Sequence, residues 1–241
     1  GKQRLGKDIA QVIVEESLAI SDEDGFSIKG YCEPFCGMLG VYRHVPSLLE
    51  KEGLTGLKYL AGDTNESVIK MWRAAQKGWK PPTREVTRDE FLRLKCNGKR
   101  SADKGYIGHQ YGFMGRYFQP FNSRAGLSSR KASAQRVQTI ASKLGDIELS
   151  PGGYKQWSRL NGYVIYCDPP YQRQAKYYTE SGRPVEPFDH ESFWNWCRKI
   201  SEKNIVFVSE YKAPKDFQRI WSKKSSTCRG HAVERLYLVG S

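Results

Sequence analysis

The sequence predicts an α/β fold in which a doubly wound sheet is interrupted by a long insertion. Strand patterns alternate with helix patterns at both ends of the chain, which is typical of a parallel sheet with helices on both faces. Between them, residues 77–145 have little apolar periodicity and many basic and aromatic side chains. A chain of 241 residues is long enough for one large domain carrying such an insertion.

The individual elements follow from apolar spacing. Before the insertion, the predicted strands are 28–33 and 57–61, and the predicted helices are 7–20 and 68–75. A further short helix is predicted to run through Leu49, and Pro46 limits its length. After it, the predicted strands are 147–149, 163–167, 205–209 and 236–239, and 188–202 is a predicted amphipathic helix. Residues 1–76 and 146–241 are therefore expected to form one domain, and 77–145 a mostly helical and irregular insertion.

Composition restricts the function. Lys and Arg total 39 against 26 Asp and Glu, a net charge of +13, which favours a polyanion such as nucleic acid as partner. The six cysteines form no CxxC pair, and no metal site is expected. There is no long apolar run and no signal peptide, so a cytoplasmic protein without membrane contact is expected. The absence of GxGxxG and Walker motifs disfavours NAD and ATP.

Three acidic residues, Glu33, Asp63 and Asp168, come directly after predicted strands. In an open parallel sheet, ligands bind beyond the carboxyl ends of the strands, so these acids are candidates for one site. A single acid in such a place is more often a helix cap. Two of the three, however, are followed by unusual turns.

The first turn, Glu33-Pro34-Phe35-Cys36-Gly37, has a glycine at which a ligand could approach the main chain closely. Asp63 is placed where a carboxylate could accept hydrogen bonds from ribose hydroxyls.

The second turn, Asp168-Pro169-Pro170-Tyr171, ends the strand of residues 163–167. Neither proline can donate to a strand ladder, and both stiffen the backbone that holds the acid and the ring. An exocyclic amine on a base is a poor nucleophile because its lone pair is delocalised. Asp168 and the carbonyl of Pro169 could each accept one N–H and expose that lone pair, a task of positioning and preorganised electrostatics.

EPFCGMLGV (33–41), GDTNES (62–67), a basic insertion and YCDPPY (166–171), in this order, resemble the DNA adenine methylase family over nearly the whole chain. The resemblance implies a Rossmann-like methyltransferase sheet, S-adenosyl-L-methionine as cofactor and methyl transfer to adenine N6 in double-stranded DNA. Gly1-Lys2 resembles the end of the family's N-terminal motif, whose lysine lies near the cofactor. The implied catalytic residues are Asp168, Pro169, Pro170 and Tyr171, and the implied cofactor-binding residues are Lys2, Glu33, Pro34, Phe35, Cys36, Gly37, Asp63, Thr64, Asn65, Tyr154 and Asp168.

The segment YGFMGRYF (111–118) is similar to the family's DNA-contacting segment. A paired adenine cannot reach such a site, so base flipping is implied, with Tyr171 stacking on the extruded base. Cations would contact phosphates, and rings or Met114 would fill the gap in the stack. The predicted DNA-binding residues are Tyr111, Phe113, Met114, Arg116, Tyr117, Arg124, Arg130, Lys131 and Arg136.

Two positions depart from the family pattern. Leu39 stands where the first motif usually has a second glycine, and Gly153-Tyr154 stands where an acid and an aromatic residue often precede the DPPY motif. We therefore expect a locally different cofactor loop, with Tyr154 against the cofactor's adenine.

Other substrates stay open at this stage. The same turn could serve cytosine N4, although that activity more often has Ser in place of Asp168, or adenine N6 in RNA. A DNA-binding protein with a decayed site is the rival from another class. The recognition sequence, the biological role (restriction–modification, phage or viral protection, or regulation) and the oligomeric state are not encoded in any recognisable pattern.

Overall fold

The computed structural model describes residues 2–122, 126–171, 187–227 and 230–240. Within these residues there are seven strands and seven α-helices, with short 3₁₀ turns at Tyr42–His44, Phe113–Gly115 and Tyr154–Trp157. The strands are β1 (Gly30–Glu33), β2 (Lys58–Asp63), β3 (Glu148–Pro151), β4 (Tyr163–Cys167), β5 (Ile205–Ser209), β6 (Phe217–Thr227) and β7 (Gly230–Val239). The helices are α1 (Gly6–Asp24), α2 (Val45–Lys51), α3 (Glu66–Gln76), α4 (Arg88–Cys96), α5 (Ala102–Gln110), α6 (Leu127–Ala141) and α7 (His190–Ser201).

The strand order across the sheet is β3-β2-β1-β4-β5-β7-β6. Strand β1 is parallel to β2 and β4, and β4 is parallel to β5. Strand β7 is antiparallel to both β5 and β6. The first five strands thus follow the Rossmann order 3-2-1-4-5, and the predicted α/β class is confirmed.

The central strands are buried on both faces. Every residue of β1, β4 and β5 is buried, which requires cover on each side of the sheet. On one face, Cys167 and Val208 belong to a core cluster with Phe193 of α7. On the other face, Tyr31 packs against Tyr42, with ring centroids 6.1 Å apart.

By its packing the chain divides into two compact units. Of the described residues, one unit contains 63–152 and Pro187, and the other contains 2–62, 153–171 and 188–240. In the first unit α3 and α5 pack so closely that a Cβ on Gly105 would lie 2.3 Å from the Ser67 carbonyl oxygen. Its aromatic core includes Phe91, whose ring centroid lies 4.8 Å from that of Phe118.

Most predicted elements are present, with shifted ends. The predicted helix 7–20 continues to Asp24 and stops at Gly25, which has a φ of 65°. The stretch 77–145 is helical and irregular as predicted, containing α4, α5 and α6. Strand β6 was not predicted, because charged and polar residues such as Lys223 and Lys224 interrupt its apolar pattern.

Candidate active site

The candidate site lies at the carboxyl edge of the parallel strands in the second unit. Glu33 is the last residue of β1, and Asp168 follows β4 directly. The register pairs Cys32 with Ile165, so these neighbouring strands end within one residue of each other. Two of the three acids that sequence analysis assigned to a common site, Glu33 and Asp168, are therefore brought to one edge.

Asp168 forms an ion pair with Lys2 at the start of the chain. Lys2 Nζ lies 3.0 Å from Asp168 Oδ1, and the side chains are 9% and 22% exposed, respectively. Pro169 is buried and Pro170 is half-buried. The turn therefore presents a partly accessible carboxylate on a rigid support.

Glu234 of β7 completes this cluster. Its Oε2 lies 3.0 Å from Lys2 Nζ and accepts a 3.0 Å hydrogen bond from the Tyr171 hydroxyl. Lys2 also donates to that hydroxyl, and its Nζ lies 4.4 Å from the centre of the Tyr171 ring. Burial lowers the pKa of Lys2, but Asp168 and Glu234 outweigh it, so that the pKa lies above its ordinary value.

The backbone around Lys2 is held by the loop that follows β1. A Cβ on Gly6 would lie 1.9 Å from the Gly40 carbonyl oxygen, so this contact requires glycine. Gln3 Nε2 donates to the Met38 carbonyl at 3.0 Å, and Arg43 donates to the Gln3 carbonyl at 2.9 Å. These contacts fix the direction from which Lys2 enters the cluster.

Glu33 is 2% exposed and accepts a 2.7 Å hydrogen bond from the Tyr31 hydroxyl. Burial raises the pKa of Glu33 to about 8, and the charge of Asp168 adds to the rise. The hydrogen bonds from Tyr31 and from the Tyr42 backbone oppose it without cancelling it. Glu33 therefore holds a proton over much of the neutral range.

Two residues predicted to bind the cofactor form an aromatic pair. Phe35 and Tyr154 stack with ring centroids 5.8 Å apart and an angle of 28° between the ring planes. Both are half-buried and pack on Phe193 of α7. Cys36 is buried, and its N–H donates to the Gly62 carbonyl at 2.8 Å.

The loop after β1, predicted to bind the cofactor, has Leu39 where a second glycine was expected. Leu39 has a φ of 51°, the left-handed region that glycine normally occupies, and its side chain is fully buried. Its N–H donates to the Cys36 carbonyl at 2.7 Å. The backbone thus has a glycine-like conformation at Leu39, at a cost of about 1–2 kcal/mol.

We expect Leu39→Gly to lower the free energy of unfolding by about 2 kcal/mol, because the loss of a buried leucine side chain outweighs the relief of backbone strain. Leu39→Ala removes most of the same side chain but keeps a Cβ at positive φ, so it should be less stable than the glycine variant. Urea unfolding of the three proteins checks the order. An alanine variant as stable as the glycine variant would contradict strain at this position.

Asp63, Thr64 and Asn65 form a tight turn in the first unit. Asp63 Oδ1 accepts a 2.8 Å hydrogen bond from the Asn65 N–H. The Asn65 side chain caps α3, accepting from the N–H groups of Ser67 and Val68. Thr64 is exposed. A capping role for Asn65 is thus evident from the structure, and the cofactor role of this turn stays a prediction.

Sequence analysis missed Tyr211 and gave Glu234 no role. Tyr211 follows β5, and its ring meets that of Tyr171 edge-on at 4.7 Å. The Arg235 side chain donates to the Tyr211 carbonyl at 2.6 Å. The available signal was the segment Ser209-Glu210-Tyr211. As at Glu33 and Asp168, an acid stands at the end of a buried strand.

The predicted DNA-binding residues of the first unit differ in exposure. Phe113 and Met114 are 55% and 52% exposed, at the tip of a turn in which Met114 has a φ of 58°. Tyr111 is buried, stacks on Phe121 and donates to the Arg84 carbonyl, so it supports the turn. Lys131 and Arg136 are exposed on α6, Arg116, Tyr117 and Arg130 are half-buried, and Arg124 lies outside the described residues.

Among the described residues, no group of three His, Cys, Asp or Glu side chains could hold a metal ion. None of the described helices is long and apolar enough to cross a membrane.

Comparison with known proteins found no matching family model and no matching curated protein. Among solved structures, two of the rRNA methyltransferase aviRa from Streptomyces viridochromogenes are 13% and 14% identical, cover 96% of this chain and 83% of their own, and give TM-scores of 0.39 and 0.40. A conserved hypothetical protein from Streptococcus pyogenes is 11% identical, with 91% and 92% coverage and a TM-score of 0.36. Because these TM-scores are below 0.5, the site is interpreted from its own geometry.

Proposed function

We propose that this protein transfers a methyl group from S-adenosylmethionine to adenine N6 in a specific double-stranded DNA site, after flipping the base out of the duplex. The observation that carries the proposal is the DPPY turn, which holds the half-buried Asp168 carboxylate directly after the fully buried strand β4. The ion pair with Lys2 fixes Asp168 through Oδ1. Among the described residues Oδ2 has no partner, so it is the oxygen offered to an incoming N–H.

The residues at this edge fit the proposed cofactor. It carries cationic groups and an adenine ring, and the site offers the Asp168 carboxylate and the aromatic pair of Phe35 and Tyr154. A Cβ built on Gly37 would meet no described atom within 4 Å, which leaves room for close approach to the main chain. When bound, S-adenosylmethionine supplies a methyl group made electrophilic by its positively charged sulfur.

The chain's own part in the reaction is positioning. Asp168 Oδ2 accepts one N–H of the amine and the Pro169 carbonyl accepts the other, which draws the nitrogen towards tetrahedral geometry and frees its lone pair. Positive charge develops on that nitrogen as its bond to the methyl group forms and the methyl–sulfur bond breaks, and the Asp168 carboxylate stabilises this charge until an amine proton leaves to solvent. The stacking of Tyr171 on the flipped base stays a prediction, because its ring is 6% exposed, with Lys2 Nζ 4.4 Å from its centre and the Tyr211 ring 4.7 Å away.

The nucleic-acid part of the proposal is supported by charge and exposure. The net charge of +13 suits a polyanion. The exposed tip formed by Phe113 and Met114 is suited to entering a base stack that has lost a base. Asp168, in the position where serine would favour cytosine, supports adenine as the target.

Product analysis tests the proposal. The full chain should transfer the labelled methyl group of S-adenosylmethionine to duplex DNA, and mass spectrometry of the digested DNA should show N6-methyladenine. N4-methylcytosine would move the target to cytosine, and preferential labelling of RNA in a competition assay would replace DNA as the substrate. DNA binding without methyl transfer to either nucleic acid would favour the decayed-site alternative.

A further inference from the structure

Glu234 makes two contacts in the Asp168 cluster that the proposed reaction does not yet use. Its Oε2 lies 3.0 Å from Lys2 Nζ and accepts the hydrogen bond of the Tyr171 hydroxyl. Its side chain is 15% exposed. Residues 2 and 234 are at opposite ends of the chain, and Glu234 reaches the cluster because β7 pairs with β5, with Leu236 opposite Ser209.

The cluster has an uneven charge balance. Lys2 contributes one positive charge, and its two ion-pair partners, Asp168 and Glu234, contribute two negative charges. Tyr171 is neutral, because burial raises its pKa well above the ordinary value. One negative charge is therefore in excess beside the edge where Asp168 is accessible.

This excess matters because an ammonium 3.0 Å from Asp168 would otherwise cancel the charge that the reaction needs. Charges at such separations interact strongly wherever water is partly excluded. With Lys2 and Asp168 alone, a cation developing on a bound amine would face a neutral pair. With Glu234 present, Lys2 is shared between two carboxylates and Asp168 keeps part of its charge.

We propose that Glu234 is a positioning residue for methyl transfer, which offsets the charge of Lys2 so that Asp168 can stabilise the cation forming on the target amine. Glu234 does not touch the substrate and acts through Lys2 and Tyr171. This role rests on the proposed function, since it concerns the same reaction at the same turn.

A double-mutant cycle tests the charge balance. Glu234→Gln keeps an oxygen that can accept from Lys2 and Tyr171 but removes the charge, and we expect the single-turnover rate constant at saturating cofactor and DNA to fall about 10- to 100-fold. In a Lys2→Met background there is no ammonium to offset, so Glu234→Gln should lower the single-turnover rate constant less than about threefold. Equal losses in both backgrounds would overturn the proposal.

Two controls separate the effect of the lost Glu234 charge from misfolding and from unspecific effects of a Glu→Gln substitution. Glu202→Gln makes the same chemical change at an exposed position at the end of α7, and it should leave the rate constant unchanged. Circular dichroism at the assay temperature should show that each variant is folded.

A measurement on the ligand-free protein separates this proposal from the proposed function. The pKa of Lys2 can be followed by the ¹⁵N shift of its ammonium group in lysine-labelled protein, with Lys2→Arg identifying the signal. Glu234→Gln should lower that pKa, because one of the two carboxylates that raise it loses its charge. An unchanged pKa would overturn the sharing of Lys2. If the wild type methylates neither DNA nor RNA, the proposed function fails and the role of Glu234 in transfer fails with it, whereas a lowered pKa would still establish the charge sharing.

Discussion

Asp168→Asn is expected to lower the single-turnover rate constant of methyl transfer by about 100- to 1000-fold at saturating cofactor and DNA. The asparagine side chain can still accept a hydrogen bond, but it has no charge with which to stabilise a cation on the amine nitrogen. Lys2 would keep its contact with Glu234, so its ammonium would remain beside the site unopposed by Asp168. The assay measures transfer of a labelled methyl group to duplex DNA within one turnover.

A matched control uses a second aspartate that also forms an ion pair. Asp216 is half exposed and pairs with Arg198 at 2.6 Å, on the surface of the second unit. Exposed ion pairs contribute little to stability, so Asp216→Asn should fold like the wild type. Its rate constant should stay within about twofold of the wild-type value. Calorimetric binding of S-adenosylmethionine to Asp168→Asn would show that the cofactor site is intact. An Asp168→Asn protein that methylates DNA at the wild-type rate would remove Asp168 from the mechanism.

The central strands could be predicted from the sequence because their signal is local. The stretches 163–167 and 205–209 are short apolar runs that end abruptly, and both are strands with those bounds. A strand buried on both faces is a continuous apolar run, because none of its side chains faces solvent. Strand β6 lies at the outer position of the strand order and carries charged residues such as Lys223, which forms an ion pair with Asp8 of α1. Its apolar pattern is too weak to be recognised.

The same distinction applies to the candidate site. Asp168 to Tyr171 are contiguous and could be recognised as one motif. The contact between Lys2 and Glu234 joins residues 232 positions apart and depends on the pairing of β7 with β5. No local pattern encodes that pairing. The sequence also marks Leu39 as a missing glycine, but only the backbone dihedral angle shows that the loop keeps the glycine conformation.

The second prediction concerns Glu33 and pH. We expect the free energy of unfolding to fall as pH rises from about 4.5 to 8, since Glu33 has a pKa of about 8 when folded and an ordinary value of 4.5 when unfolded. In this window the folded state holds a proton that the unfolded state has released, and each further rise in pH favours the unfolded state. The loss from this one group approaches about 1.4 kcal/mol per pH unit and totals about 4 kcal/mol.

Glu33→Gln should remove this dependence, because glutamine keeps the shape of the protonated side chain and cannot ionise. Urea unfolding of both proteins at pH 5, 6.5 and 8 should therefore give curves that diverge as pH rises, with the variant the more stable at pH 8. Glu202→Gln, at an exposed position, should keep the wild-type slope. Parallel slopes for Glu33→Gln and the wild type would mean that Glu33 is already ionised in the folded protein. In that case the hydrogen bonds from Tyr31 and the Tyr42 backbone, which lower the pKa of Glu33, outweigh the burial and the Asp168 charge that raise it.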